Sequence, residues 1–202
     1  KAYDLRLTLQ TTSSSRFAFW LGTNRRCWCG NLATSTRAYE ATNRFITPGS
    51  ERYMGTWNWT INNRLLFEVG QTFANEHFQY IPQPDISAIG DPTRPSITDQ
   101  STGILYHMVN VTSQQDHKSH TYNGRTVLSF VTGAHNLKVG SQWYYGSNVY
   151  ALPNNNLQYT VNSSSGTPVP ISVTYFNTPV SGPHTLNMNM GIFAQEQWTF
   201  KR

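Results

Sequence analysis

Two short stretches hold the residue types that could do chemistry. The first is RRCWCG, which places both cysteines of the 202-residue chain, Cys27 and Cys29, on either side of Trp28 and directly after Arg25 and Arg26. A C-x-C pair can clamp a metal, exchange electrons or close a structural bridge, and the local spelling leaves all three open. The second is QDHKSH, where Asp116, His117 and His120 offer one carboxylate and two imidazoles. Such a donor set could hold a transition metal if a loop folded back on itself. No fourth ligand is evident, so a solvated polar loop is the expectation there. His77, His107, His135 and His184 read as strand-end or turn residues without an identifiable partner.

Other chemistries find little footing. No G-x-S-x-G elbow, H-E-x-x-H helix or phosphate-cradling glycine loop occurs, and the ten carboxylates are scattered, so neither catalysis nor a resident cofactor or metal is expected. The formal charge of +5 comes without a dense Lys/Arg run or a basic helical stripe, so nucleic acid is not expected as a partner. Asn58, Asn110 and Asn162 begin glycosylation-type triplets that read as chance.

Whatever these residues do, strands must position them. Only 12% of residues are charged while 13% are aromatic, a balance that suits long strands with one apolar and one polar, uncharged face. Alternation recurs along the chain. Tyr3, Leu5, Leu7 and Leu9 alternate with Asp4, Arg6, Thr8 and Gln10. Tyr53, Trp57, Trp59 and Ile61 alternate with Met54, Thr56, Asn58 and Thr60, and Leu65, Phe67, Val69 and Phe73 with Glu68, Gly70 and Thr72. Leu137, Val139, Trp143 and Tyr145 oppose Lys138, Gly140 and Gln142. The last segment sets Leu186, Met188, Met190, Ile192, Trp198 and Phe200 against Asn187, Asn189, Gly191, Gln195 and Gln197. The chain is therefore expected to be all-β.

The connections fall into two alternating classes. Short polar turns stand at Thr11 to Ser15, at Asn62 and Asn63, and at Gly133 to Asn136, while long Pro-, Asn-, Ser- and Gly-rich stretches run from about 27 to 51, 80 to 119 and 152 to 184. Long strands with short turns at one end and long loops at the other are the pattern of an outer-membrane β-barrel. In that reading Trp57, Trp59, Trp198 and Phe200 form an interfacial aromatic girdle beside the short turns, and Gln10, Asn58, Gln142, Asn187, Asn189 and Gln197 face a lumen. The competing reading is a secreted, lectin-like β-sandwich that binds carbohydrate through exposed tryptophans.

Four stretches carry a family resemblance: WTINNRLLFEVGQTF, PDISAIGDPTRPSITDQSTGILY, RTVLSFVTGAHNLKVGSQW and LNMNMGIFAQEQWTFKR. In this order and spacing they resemble the Oar-like TonB-dependent outer-membrane receptors of the acidobacterial type, whose chains usually begin with a carboxypeptidase-regulatory-like domain. The resemblance implies an antiparallel up-and-down meander, part of a plugged transmembrane barrel of about 22 strands. It implies location in the bacterial outer membrane, and outer-membrane lipid, the rest of the barrel and its plug, and TonB as partners. Residues 1–202 would then be a partial barrel domain of about seven or eight strands, since no plug, regulatory-like domain or closing strand is recognisable. The expected shape is a curved meander with two unpaired edges and floppy long loops.

The resemblance also gives RRCWCG an address, at the start of the long loop after the strand that begins near Arg16. That compartment is oxidising. Zinc sites normally space their cysteines by two to four residues and redox enzymes use C-x-x-C, so a structural clip between Cys27 and Cys29 is the expectation. The long loops, with Arg25, Arg26, Trp28, Tyr80, Tyr106, Asp116, His117, His120 and Tyr159, become the candidate substrate contacts, for a siderophore by charge or an oligosaccharide by ring stacking.

Overall fold

The computed structural model describes residues 1–84, 95–152 and 157–200. Lys201 and Arg202, and the middle of the PDISAIGDPTRPS stretch, lie outside the described residues. Seven long strands realise the period-two alternation: β1 (Ala2–Thr12), β2 (Ser15–Asn31), β3 (Asn43–Asn62), β4 (Leu65–Pro82), β7 (Gln115–Thr132), β8 (His135–Leu152) and β11 (Val180–Trp198). They form one antiparallel sheet in the order β1-β2-β3-β4-β7-β8-β11, so the all-β antiparallel meander holds, with β1 and β11 as its edges. The short turns fall between strands at Ser13 and Ser14, Asn63 and Arg64, and Gly133 and Ala134. Gly133 takes φ +50°, a backbone conformation other residues adopt at a cost.

Cross-strand pairing sorts the side chains onto two faces. Leu7 opposes Phe19, Phe17 opposes Trp57, Trp59 opposes Phe67, Phe67 opposes Leu128 and Leu128 opposes Val139, so one face is apolar across six strands. On the other face Gln10 opposes Arg16, Thr56 opposes Gly70, Gly70 opposes Arg125 and Arg125 opposes Gln142. The sheet is a single layer there, which leaves apolar side chains such as Ile192 79% exposed. Among the described residues no helix is long and apolar enough to cross a membrane.

The apolar face is bounded by two rows of rings. At the short-turn end Phe17, Trp57, Trp59 and Phe67 lie with centroids 5.5 to 5.6 Å apart, and Trp198 stacks on His135 at 5.2 Å and meets Phe200 at 4.0 Å. At the other end Tyr53, Phe73, Tyr122 and Tyr145 cross four strands with centroids 5.9, 4.7 and 4.6 Å apart. This second row was not singled out in the sequence. From Tyr122 to Phe130 the face covers eight residues, about 26 Å of strand, close to the apolar band of about 25 Å of transmembrane barrels.

Three expectations need correction. The strands run well past the second row of rings, so the connection expected from 27 to 51 shrinks to 32–42, and RRCWCG lies inside β2 rather than at a loop root. The apolar signal ends at that row while the hydrogen-bonded ladder continues, which is why the sequence hides the extension. The described parts of the long loops also hold regular structure. They carry β5 (Ser96–Asp99), β6 (Ile104–Tyr106), β9 (Leu157–Asn162) and β10 (Val169–Tyr175), joined as a second sheet in the order β10-β9-β5-β6 with β5 parallel to β9. Ala41, Leu105, Met108, Val109, Val111 and Val161, buried at this end, are most of the described core. Finally, Leu186 opposes Gly146 while Asn189 opposes Tyr144, a bulge of one residue. Leu186 thereby shares the face of Asn189 rather than that of Met190.

Candidate functional site

Five side chains on the polar face, beyond the level of the second row of rings, make a continuous stripe of rings. Phe45 from β3 lies 4.9 Å from Tyr80 and 5.7 Å from Phe78, both on β4. Phe78 stacks on His117 of β7 at 4.5 Å, and His117 meets Tyr150 of β8 edge-on at 5.7 Å. The placement follows from register. Phe78 opposes His117 and His117 opposes Tyr150, while the β3 bulge between Ile46 and Gly49 turns Phe45 onto the same face. On β2, Trp28 opposes Phe45, and the Arg26 guanidinium sits 4.8 Å above the Phe45 ring. A hollow of about 380 Å³ opens here, lined by Arg26, Trp28, Asn31, Phe45 and Tyr80. Below the stripe Arg52 is neutralised by an ion pair with Glu76. Arg26 has no carboxylate partner among the described residues.

The cysteines set the β2 end of this stripe. Residues i and i+2 of a strand point to one side, so Cys27 and Cys29 can bridge while Trp28 points to the other. The disulfide brings their Cα atoms to 5.3 Å, against about 6.6 Å for two residues of extended strand. The puckered strand shifts its register between Trp28 and Asn31, and the freed Cys29 carbonyl accepts a hydrogen bond from Gln83 Nε2 at 2.7 Å. Gln83 also donates to Thr42 Oγ1, and Asn31 donates to Asn43 Oδ1, whose Nδ2 donates to the Ser113 carbonyl, each at 2.7 Å. These buried side chains fasten β2, β3 and the end of β4 to the segment that leads into β7.

The remaining candidates separate. Asp116 and His120 share the outward face, whereas His117 points inward, because residues one apart alternate along β7. The possible D-H-x-x-H donor set therefore does not assemble, and the expected solvated loop is strand instead. Among the described residues no group of three or more His, Cys, Asp or Glu could hold a metal. Asp116 instead accepts from His77 at 2.7 Å and meets Lys118 at 3.6 Å. His135 pairs with Glu196 at 2.8 Å, so both histidines have partners that sequence reading missed. Tyr106 and Tyr159 both oppose Ile97, one from each side, and so share a face of the second sheet. Arg25 lies opposite Lys1, outside the stripe.

Asp99, in the second sheet, accepts hydrogen bonds from Ser101 N, Ser101 Oγ and Ser163 N through one carboxylate oxygen. Burial alone would raise its pKa, but the bonds from Ser101 and Ser163 outweigh it and lower the value from 3.8 to about 2. Asp99 thus ties the β5 turn to the end of β9.

Phe45, Phe78 and Tyr150 escaped sequence reading because each sits in a stretch with no clean alternation. A signal existed in the pair Phe78 and Tyr80, since two aromatics at i and i+2 imply a ring-bearing face. Polar residues named for the lumen, Gln10, Asn58, Gln142, Asn189 and Gln197, lie on the polar face by their pairing, while Asn187 falls in the bulge. A concave hollow of about 520 Å³ runs along this face, lined in part by Met54, Thr72, Arg125 and Gln142.

Neither a protein-family model nor a curated protein sequence matches the chain. Among solved structures it is similar to the outer membrane transporter YddB from Escherichia coli, with a TM-score of 0.59 and 13% identity over 96% of this chain. The chain spans 24% of that transporter's length. Together with the face-sorted sheet, this likeness establishes that the chain has the fold of part of an outer-membrane-transporter barrel.

Proposed function

We propose that the chain is a wall segment of a TonB-dependent outer-membrane transporter of the Oar-like type, which takes up a substrate too large or too scarce for porins. The observation that carries this reading is the single-layer sheet whose apolar face lies between two rows of rings. Such a face suits contact with lipid, and its opposite polar face a lumen or plug. The resemblance of the four quoted stretches supports the TonB-dependent and Oar-like part. In this reading the short turns face the periplasm, and the sheet of β5, β6, β9 and β10 stands outside the cell beside the ring stripe. The rest of the barrel, a plug and TonB are the partners, and transport proceeds by binding and passage without catalysis.

Fractionation of cells that express the native gene tests the proposal. The protein is expected in the outer membrane, with a folded band that changes mobility on heating, and uptake is expected to stop when TonB is deleted. Recovery as a soluble monomer would overturn the membrane reading, and uptake unchanged without TonB would overturn the coupling.

A further inference from the structure

We infer that the ring stripe on the lumen face is a track for a saccharide chain rather than a seat for an anionic metal chelate; this rests on the transporter reading and names its substrate class. The stripe crosses β2, β3, β4, β7 and β8, so it is about 19 Å long at the strand spacing of a sheet. That length accommodates several sugar units in a row. Phe45, Phe78, Tyr80, His117 and Tyr150 are all partly exposed, with neighbouring rings 4.5 to 6.1 Å apart. Trp28, 64% exposed, heads the row.

Rings of this kind bind by apolar contact and CH–π attraction, and the C–H faces of pyranose rings supply both without needing charge. A chelate carrying several negative charges would require several uncompensated cations. The stripe offers one, Arg26, because Arg52 is paired with Glu76. A planar guanidinium held over Phe45 suits a single carboxylate or sulfate on an otherwise neutral chain.

The test uses the native protein purified from outer membranes in detergent. Its tryptophan fluorescence is titrated with soluble neutral and uronic oligosaccharides, with a ferric catecholate chelate and with a short apolar peptide. An oligosaccharide is expected to bind, and Phe78→Ala or Tyr150→Ala to weaken it about tenfold, while Phe78→Tyr retains binding. Arg26→Gln is expected to weaken uronic chains selectively. Binding of the chelate or the peptide alone, or saccharide affinity unchanged in heat-modifiable Phe78→Ala and Tyr150→Ala proteins, would overturn the inference and leave the transporter reading intact. A protein absent from the outer membrane would defeat the transporter reading instead.

Discussion

At the scale of single residues, the site is held by side chains whose roles lie in what their backbone neighbours lack. Gln83 is almost fully buried and fills two vacancies at once, the Cys29 carbonyl and Thr42 Oγ1. Gln83→Leu keeps the size but takes the side-chain donor from the Cys29 carbonyl and leaves Thr42 Oγ1 with only its bond to the Tyr39 carbonyl, a cost of about 1–3 kcal/mol. The expected outcome is faster proteolysis of residues 32–42 with little change in the heat-modifiable band. Cys27 and Cys29 were legible as a pair, and alkylation without reductant is expected to label neither. What the spelling could not show is that the pair lies in a strand, because the surrounding RRCWCGN has no period-two apolar signal to mark one. The same blindness hid Phe45 and Tyr150, and it separated His117 from Asp116 and His120 only once the strand was known.

At the scale of elements, the parts of β1, β3, β4, β8 and β11 between the two rows of rings were legible because one apolar and one polar face impose strict alternation. The second sheet was not, since β5 and β6 are short strands whose partners lie in another loop. Asp99 is the tie between those loops, and its folded pKa lies below the ordinary 3.8. A lowered value means that the carboxylate stabilises the fold fully above about pH 4 and ceases to do so as pH falls toward 2. Protection of residues 96–106 and 157–163 against hydrogen exchange, taken relative to the intrinsic rate at each pH, should therefore fall over that window. In Asp99→Asn the same protection should be low at neutral pH and flat across the window, and a wild-type profile in that variant would remove the tie. For the long sheet the decisive comparison is between faces. Val139→Arg puts a charge on the outward face two residues inside the short-turn end of the apolar band, where the expected cost lies between the ~0–1 kcal/mol of an interface and the ~2–4 kcal/mol of the midplane, seen as loss of the folded band at a lower temperature. Gln142→Arg, three positions along on the inward face, is expected to leave it.

At the scale of the whole molecule, the strand count decides what the chain can do by itself. Seven strands that alternate in direction leave β1 and β11 running the same way, so the sheet could close only through a parallel pair. Bacterial barrels made from one chain close antiparallel, with an even number of strands. Each edge instead carries unpaired backbone groups beside apolar side chains, with Leu5, Leu7 and Leu9 on β1 and Met190 and Ile192 on β11. In hydrocarbon every such group costs several kcal/mol, and an exposed edge recruits another strand. The 202-residue segment expressed alone and refolded in detergent is therefore expected to associate edge to edge, giving multimers without a heat-modifiable monomer. Light scattering and gel mobility read this directly. A monodisperse, heat-modifiable monomer would mean that β1 and β11 satisfy each other, and the lumen face with its ring stripe would then enclose a far narrower space than a substrate route needs.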